Sequence, residues 1–217
     1  MSNNDSFIDE VTEEVRRDKL FALFRRYGWI GVAAIVLIVA GAAWNEWSKS
    51  RAEAAAQTFG DAVLAAMAEA DPAGRLAKLD AVAAGEAQQA VLGLLIAAEA
   101  AAAEDKPRAI EALQGIANDP ALPQVYRDMA ELKRVLVAGT EMDAGERDTL
   151  LAALAEPGRT FRPMAMEQQA LVLAADGKAD EAIALLKQVL QEPGVTPPLR
   201  RRASEVIVAL GGDPSAG

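Results

Sequence analysis

The side chains that most often do chemistry are missing from this chain. Its 217 residues include no histidine and no cysteine. That removes the commonest general base, the commonest metal ligand, the thiol nucleophile and any disulfide framework. Ser204 is the one serine within the apolar-periodic segments beyond residue 71, so a nucleophile activated by a neighbouring base has no partner to draw on. What remains is carboxylate chemistry. Glu141, Asp143, Glu146 and Asp148 gather around one turn, but their spacing is not that of a calcium loop. Such acids suit a solvated loop and a helix start, where negative charge meets the positive end of the helix dipole. Other acid pairs are what any acidic helical protein carries, and do not signal glycosidase work. Gly28-Trp29-Ile30-Gly31 lies inside an apolar run and lacks the strand-to-helix context of a phosphate loop. The expectation is a non-enzymatic chain without cofactor, metal or small-molecule substrate.

Charge narrows the partners. Residues 1–51 carry seven basic and seven acidic side chains, whereas 52–217 carry 15 basic and 25 acidic. An acidic domain repels nucleic acid and anionic headgroups, so protein partners are expected. The local exception, Arg200-Arg201-Arg202, opens a predicted helix, where cations oppose the dipole; ion pairs to acidic neighbours are the expected compensation, with a partner site as the alternative.

The element that decides location is the uncharged stretch from Tyr27 through Asn45. As a helix, Tyr27 to Trp47 covers roughly 31 Å, close to a bilayer core of about 30 Å. Tyr27 and Trp29 stand at one end, Trp44 and Trp47 at the other, as interfacial anchor rings do. Arg16, Arg17, Lys19, Arg25 and Arg26 precede the stretch, and only Lys49 and Arg51 closely follow it. The positive-inside bias then predicts a cytoplasmic N-terminus, a transmembrane helix over 27–47 and the rest of the chain across the membrane. The alternative is a signal peptide cleaved near Ala40-Gly41-Ala42. The long, acid-containing region before the apolar core and the second Trp pair argue against it.

The remaining segments read as helices. Residues 1–26 form a cytoplasmic amphipathic segment, with Phe7, Ile8, Val11 and Val15 at helical spacing. It suits either the membrane surface or a docking partner. Residues 48–70 read as a stalk and first helix of the outer domain, with Phe59, Val63 and Met67 four apart, ended by Asp71-Pro72. Beyond it, Pro and Gly punctuate residues 71–217 at regular distances, giving about nine helices after the span, joined by short loops and hence stacked as antiparallel hairpins. The fold class is all-α.

Two of these hairpins share a signature. Ala109, Ile110 and Leu113 lead to Pro120; Ala182, Ile183 and Leu186 lead to Pro193. Ala109 and Ala182 are 73 residues apart, about two units of 34 with a few inserted residues. The pattern resembles the second helix of a tetratricopeptide repeat, where a small Ala admits a close neighbour and Pro closes the unit. Ala165 to Asp176 fits the first helix, with Leu173 at its large apolar position, although Met166 and Gln169-Ala170 stand where the repeat family has Trp and Leu-Gly. Gln124–Val137 and Ala144–Ala155 fit by length alone. The outer domain is therefore expected to be a degenerate tetratricopeptide-repeat-like α-solenoid, with a plain helical bundle as the alternative. Its concave face would bind extended or helical peptides.

The full layout, Phe7-Ile8-Asp9-Glu10-Val11 and Glu14-Val15-Arg16-Arg17-Asp18, then Arg25-Arg26-Tyr27-Gly28-Trp29, one span and an Ala-rich repeat domain, resembles the bacterial ancillary subunit family of the Sec translocon. The resemblance implies a periplasmic repeat domain beside the channel. It also implies partners among translocon subunits, a membrane-anchored periplasmic chaperone of the prolyl-isomerase class, and secreted chains. The alternative is a scaffold or assembly subunit of another inner-membrane complex.

Overall fold

A computed structural model describes the backbone of residues 3–215 and the side-chain surroundings of residues 25–215 apart from 28 and 87. Arg16, Arg17 and Lys19 lie outside the described side chains. The described residues form helices joined by turns, with no strand. In order these are α1 (Asn3–Met67), α2 (Pro72–Asp80), α3 (Glu86–Ala102), α4 (Lys106–Ala117), α5 (Gln124–Ala138), α6 (Ala144–Leu154), α7 (Arg162–Ala175), α8 (Ala179–Gln191) and α9 (Pro197–Ala209), with a short 3-10 turn at Gly139–Glu141. The chain divides into two compact units, Met1–Thr58 and Phe59–Gly217.

In the first unit, α1 contains the one described segment long and apolar enough to cross a membrane, beginning at Trp29. Its large apolar side chains, among them Ile35, Leu37 and Ile38, are exposed.

The second unit is a stack of helix hairpins, all-helical as expected. Its core is a series of four clusters rather than one. Phe59 and Val63 of α1 meet Leu79 of α2 and Leu92 of α3. Ala90 and Ala97 of α3 pack with Leu113 and Ile116 of α4 and Ala130 of α5. Leu132 and Val135 of α5 join Leu151 and Leu154 of α6 and Ala165 of α7. Met166 and Ala170 of α7, Leu186 and Val189 of α8, and Leu199, Ala203 and Ile207 of α9 form the last. Each cluster joins a hairpin to the first helix of the next, which is the nearest-neighbour architecture of a repeat solenoid. Counting the end of α1, nine helices build it, and α9 closes it.

The Pro punctuation works differently from the expectation at one point. Asp71-Pro72 does not end the stalk helix. α1 stops at Met67 and Asp71 begins α2, its Oδ1 accepting the Gly74 N–H at 2.8 Å. Pro72 follows in the first turn, where its missing N–H costs nothing and its fixed φ suits the helix. Asp105 starts α4 in the same way through the Arg108 N–H at 3.1 Å, and Thr196 starts α9 through the Leu199 N–H at 3.4 Å. The turn from α7 to α8 needs Gly177, whose φ is 77°. There Lys178 N–H reaches the Leu173 carbonyl at 2.9 Å and Gly177 N–H the Ala174 carbonyl at 3.1 Å.

Small residues set the helix spacing. Ala97, Ala100, Ala109, Ala130, Ala165, Ala170, Ala182 and Ala203 are all buried. At Gly93 of α3 a methyl group would require Ile116 to shift, since a Cβ there would lie 2.9 Å from Ile116 Cδ1 on α4. With little bulk at these contacts, ion pairs tie the helices across the stack. Arg75 Nε meets Glu99 at 2.6 Å, Arg159 meets Asp128 at 3.0 Å, Arg162 meets Glu192 at 3.0 Å and Arg202 meets Glu167 at 2.8 Å. Every fully buried side-chain N and O atom among the described residues has a hydrogen-bond partner.

Candidate functional site

The repeat residues singled out by spacing occupy equivalent places. Ala109 and Leu113 on α4, and Ala182 and Leu186 on α8, are fully buried, while Ile110 and Ile183 are half-buried. The 73-residue offset extends to Ala97 of α3 and Ala170 of α7, both buried. The buried members of this set hold helices together, and Ile110 and Ile183 keep part of their surface exposed.

Two surface clefts lie where the C-terminal ends of α5 and α7 meet the start of α6. Gly139 (φ 55°) ends α5, and Asp143 starts α6 by accepting the Glu146 N–H at 3.0 Å. One cleft there is about 220 Å³, lined by Val135 and Gly139 of the α5 end, Leu151 of α6, and Gln168, Leu171 and Val172 of α7. A second, about 310 Å³, shares Val172 and Asp176 with the first and runs on to Leu173, Lys178 and Leu185 of α8. The two clefts adjoin at these shared residues and make up a groove along α7. Leu171 is 38% exposed within it. Charges of both signs rim it. Arg147 and Asp148 pair with each other at 2.9 Å, and Asp176 and Lys178 stand at the α7–α8 turn. Val135, Leu151, Leu171 and Val172 give the groove an apolar floor.

The acidic cluster at the same end does structural work. Asp143 is the α6 cap, Glu141 pairs with Lys106 at 2.6 Å, and Glu146 pairs with Arg134. Among the described residues no three His, Cys, Asp or Glu side chains are grouped to hold a metal ion.

A smaller cleft of about 170 Å³ opens at the opposite end of α5 and α6, lined by Gln124, Arg127, Asp128, Glu131 and Arg159. Its polar atoms are committed to one another. Buried Asp128 accepts from Gln124 Nε2 at 2.7 Å and Arg159 at 3.0 Å. Burial raises the Glu131 carboxyl above the ordinary carboxylate range; Arg134 opposes this, and Glu146 and Asp128 add to it.

In the first unit, Tyr27, Trp29, Trp44 and Trp47 are all exposed, as are Arg25 and Arg26. Arg202 answers part of the Arg200-Arg201-Arg202 question. It binds buried Glu167 through two nitrogens, and the pairing holds its guanidinium above the usual arginine range. Arg201 pairs with Glu205 at 3.7 Å. Sequence reasoning did not find the groove. Its one signal was Leu171, an apolar residue beside Ala170, the small residue that turns the other side of α7 inward.

A family model described as a tetratricopeptide repeat-like domain matches residues 23–198. Neither a curated protein nor a solved structure matches the chain.

Proposed function

The chain belongs to the tetratricopeptide repeat-like domain family, and on that premise we propose that it is a membrane-anchored, non-enzymatic adaptor. Domains of this kind bind proteins. The observation that carries the anchored reading is the placement of an exposed helix of membrane-spanning length and apolarity beside such a repeat; the matched range begins at residue 23, ahead of the uncharged stretch. The basic excess before that stretch supports a cytoplasmic N-terminus with the repeat unit in the periplasm. Tethering raises the effective concentration of a weak binding surface toward anything nearby at the membrane. The shallow groove on α7 suits such weak, adaptable contacts.

Within that reading, the N-terminal pattern that resembles the ancillary Sec translocon subunit supports a role beside the translocon, passing secreted chains to periplasmic chaperones. The test is photocrosslinking in intact membranes from probes at positions between Gln57 and Ala130 and at Leu171, with the partners identified by mass spectrometry. Capture of translocon subunits, a periplasmic prolyl isomerase or nascent secreted chains is the expected result. Capture of one other defined membrane complex in their place overturns the translocation role and assigns the chain to that complex as a scaffold.

A further inference from the structure

Both ends of the uncharged stretch carry an arginine set against an aromatic ring. The Arg51 guanidinium carbon lies 4.3 Å from the centre of the Trp47 ring, and that of Arg26 lies 5.8 Å from the centre of the Tyr27 ring. Trp47 is itself in contact with Trp44, ring centres 5.2 Å apart. In the second unit, by comparison, six arginines (Arg75, Arg108, Arg134, Arg159, Arg162 and Arg202) each hold a carboxylate, whereas Arg127 bonds only carbonyl groups and Gln124. Neither Arg26 nor Arg51 is paired in this way.

A guanidinium laid on a ring gives the ring its face and keeps its N–H donors along the edge, free for a planar or tetrahedral anion. The two arginines are 25 residues apart, roughly 37 Å of helix. With side chains that reach outward along apolar stems, this approaches the headgroup-to-headgroup thickness of a bilayer, about 40–45 Å. The apolar side chains between them are exposed.

We infer that Arg26 on Tyr27 and Arg51 on Trp47 are two binding sites for the phosphodiester group of membrane phospholipids, one in each leaflet, and that together they fix the depth of α1 in the bilayer. This rests on the membrane-spanning reading above.

All three tryptophans of the chain, Trp29, Trp44 and Trp47, lie in this segment, so intrinsic fluorescence reports its two ends without labels. The test uses the full chain as Trp29→Phe, with and without Arg51→Gln, in vesicles whose acyl chains carry bromine near the glycerol or near the chain ends. In phosphatidylglycerol and phosphatidylethanolamine, Trp44 and Trp47 are quenched most by the shallow bromines. Arg51→Gln moves the maximum toward the bilayer centre by up to one helical turn, about 5 Å. In vesicles of an uncharged galactolipid the two proteins coincide. An unchanged depth profile in Arg51→Gln overturns the inference and points to a protein partner for Arg51, while the anchor stands. A difference that persists in galactolipid overturns the role of phosphate. Quenching at no depth is a separate result, since it removes the membrane-spanning reading itself.

Discussion

Glu167 on α7 and Arg202 on α9 meet through two parallel hydrogen bonds, Oε1 to Nε at 2.9 Å and Oε2 to Nη2 at 2.8 Å. The carboxylate is buried and the arginine is about half exposed. The bond crosses α8, joining the first helix of the last hairpin to the helix that closes the stack. A basic run at a helix start, unfavourable by itself, is thereby turned into the closing clamp of the solenoid.

Arg202→Ala strands a buried carboxylate. The expected loss is about 2 kcal/mol, below the value for a fully buried pair because solvent reaches the arginine side. Glu167→Leu with Arg202→Met removes both charges and recovers most of that loss. Urea unfolding of the wild type, Glu167→Leu, Arg202→Met and the double variant measures the coupling, and additive losses would contradict a direct pair.

Leu113 and Leu186 occupy the same place in two hairpins, and each is fully buried. Truncation of either to Ala costs about 2–5 kcal/mol. Because the core is a series of neighbouring clusters, the damage stays local. Leu186→Ala accelerates amide exchange across α7–α9 and spares α3 and α4, and Leu113→Ala does the reverse. Uniform acceleration along the stack would mean that the unit unfolds as one block.

Those equivalences also show what the sequence could reveal. Ala109 and Ala182 were visible because a small residue, an Ile and a closing Pro recur at one spacing. Their first-helix counterparts, Ala97 and Ala170, were obscured, since in an Ala-rich helix one buried Ala looks like its exposed neighbours. Asp71-Pro72 was legible as a break but not as a helix start, because Pro forbids continuation from one side and favours initiation from the other. The groove was illegible for a further reason. Its walls come from α5, α6, α7 and α8, and only the packing of the helices brings Val135, Leu171 and Leu185 to one end.

Gly93 on α3 faces Ile116 on α4 closely enough that a Cβ there would lie 2.9 Å from Ile116 Cδ1. Gly93→Ala gains about 1 kcal/mol of helix propensity but forces Ile116 to move, at about 1–3 kcal/mol. A net loss is expected. In an Ile116→Val background, which lacks Cδ1, the same substitution becomes neutral or stabilising. Thermal unfolding of the double-mutant cycle checks the sign, and equal effects in both backgrounds would contradict the contact.

Glu131 titrates against its surroundings. Burial raises its carboxyl above the ordinary value of 4.5, with Asp128 on α5 and Glu146 on α6 adding to the rise and Arg134 opposing it. The folded state therefore holds this proton to higher pH than the unfolded chain does. Stability from this group is full below 4.5 and is lost as pH rises through the raised value. Glu131→Gln removes that dependence, so its stability relative to the wild type increases with pH across the window. A constant difference between the two, measured by urea unfolding from acid to neutral pH, would show that folding does not raise the Glu131 carboxyl.

In the proposed topology α1 anchors the chain and the repeat unit lies across the membrane from the N-terminus. Protease treatment of intact spheroplasts and of inverted membrane vesicles, read with an antibody to the C-terminal unit, tests it directly. The account predicts that residues beyond Arg51 are digested in spheroplasts and protected in inverted vesicles, and that the protein stays with the membrane after alkaline washing. Protection with the opposite sidedness, or release of the repeat unit as a soluble fragment beginning near Ala42, would contradict it.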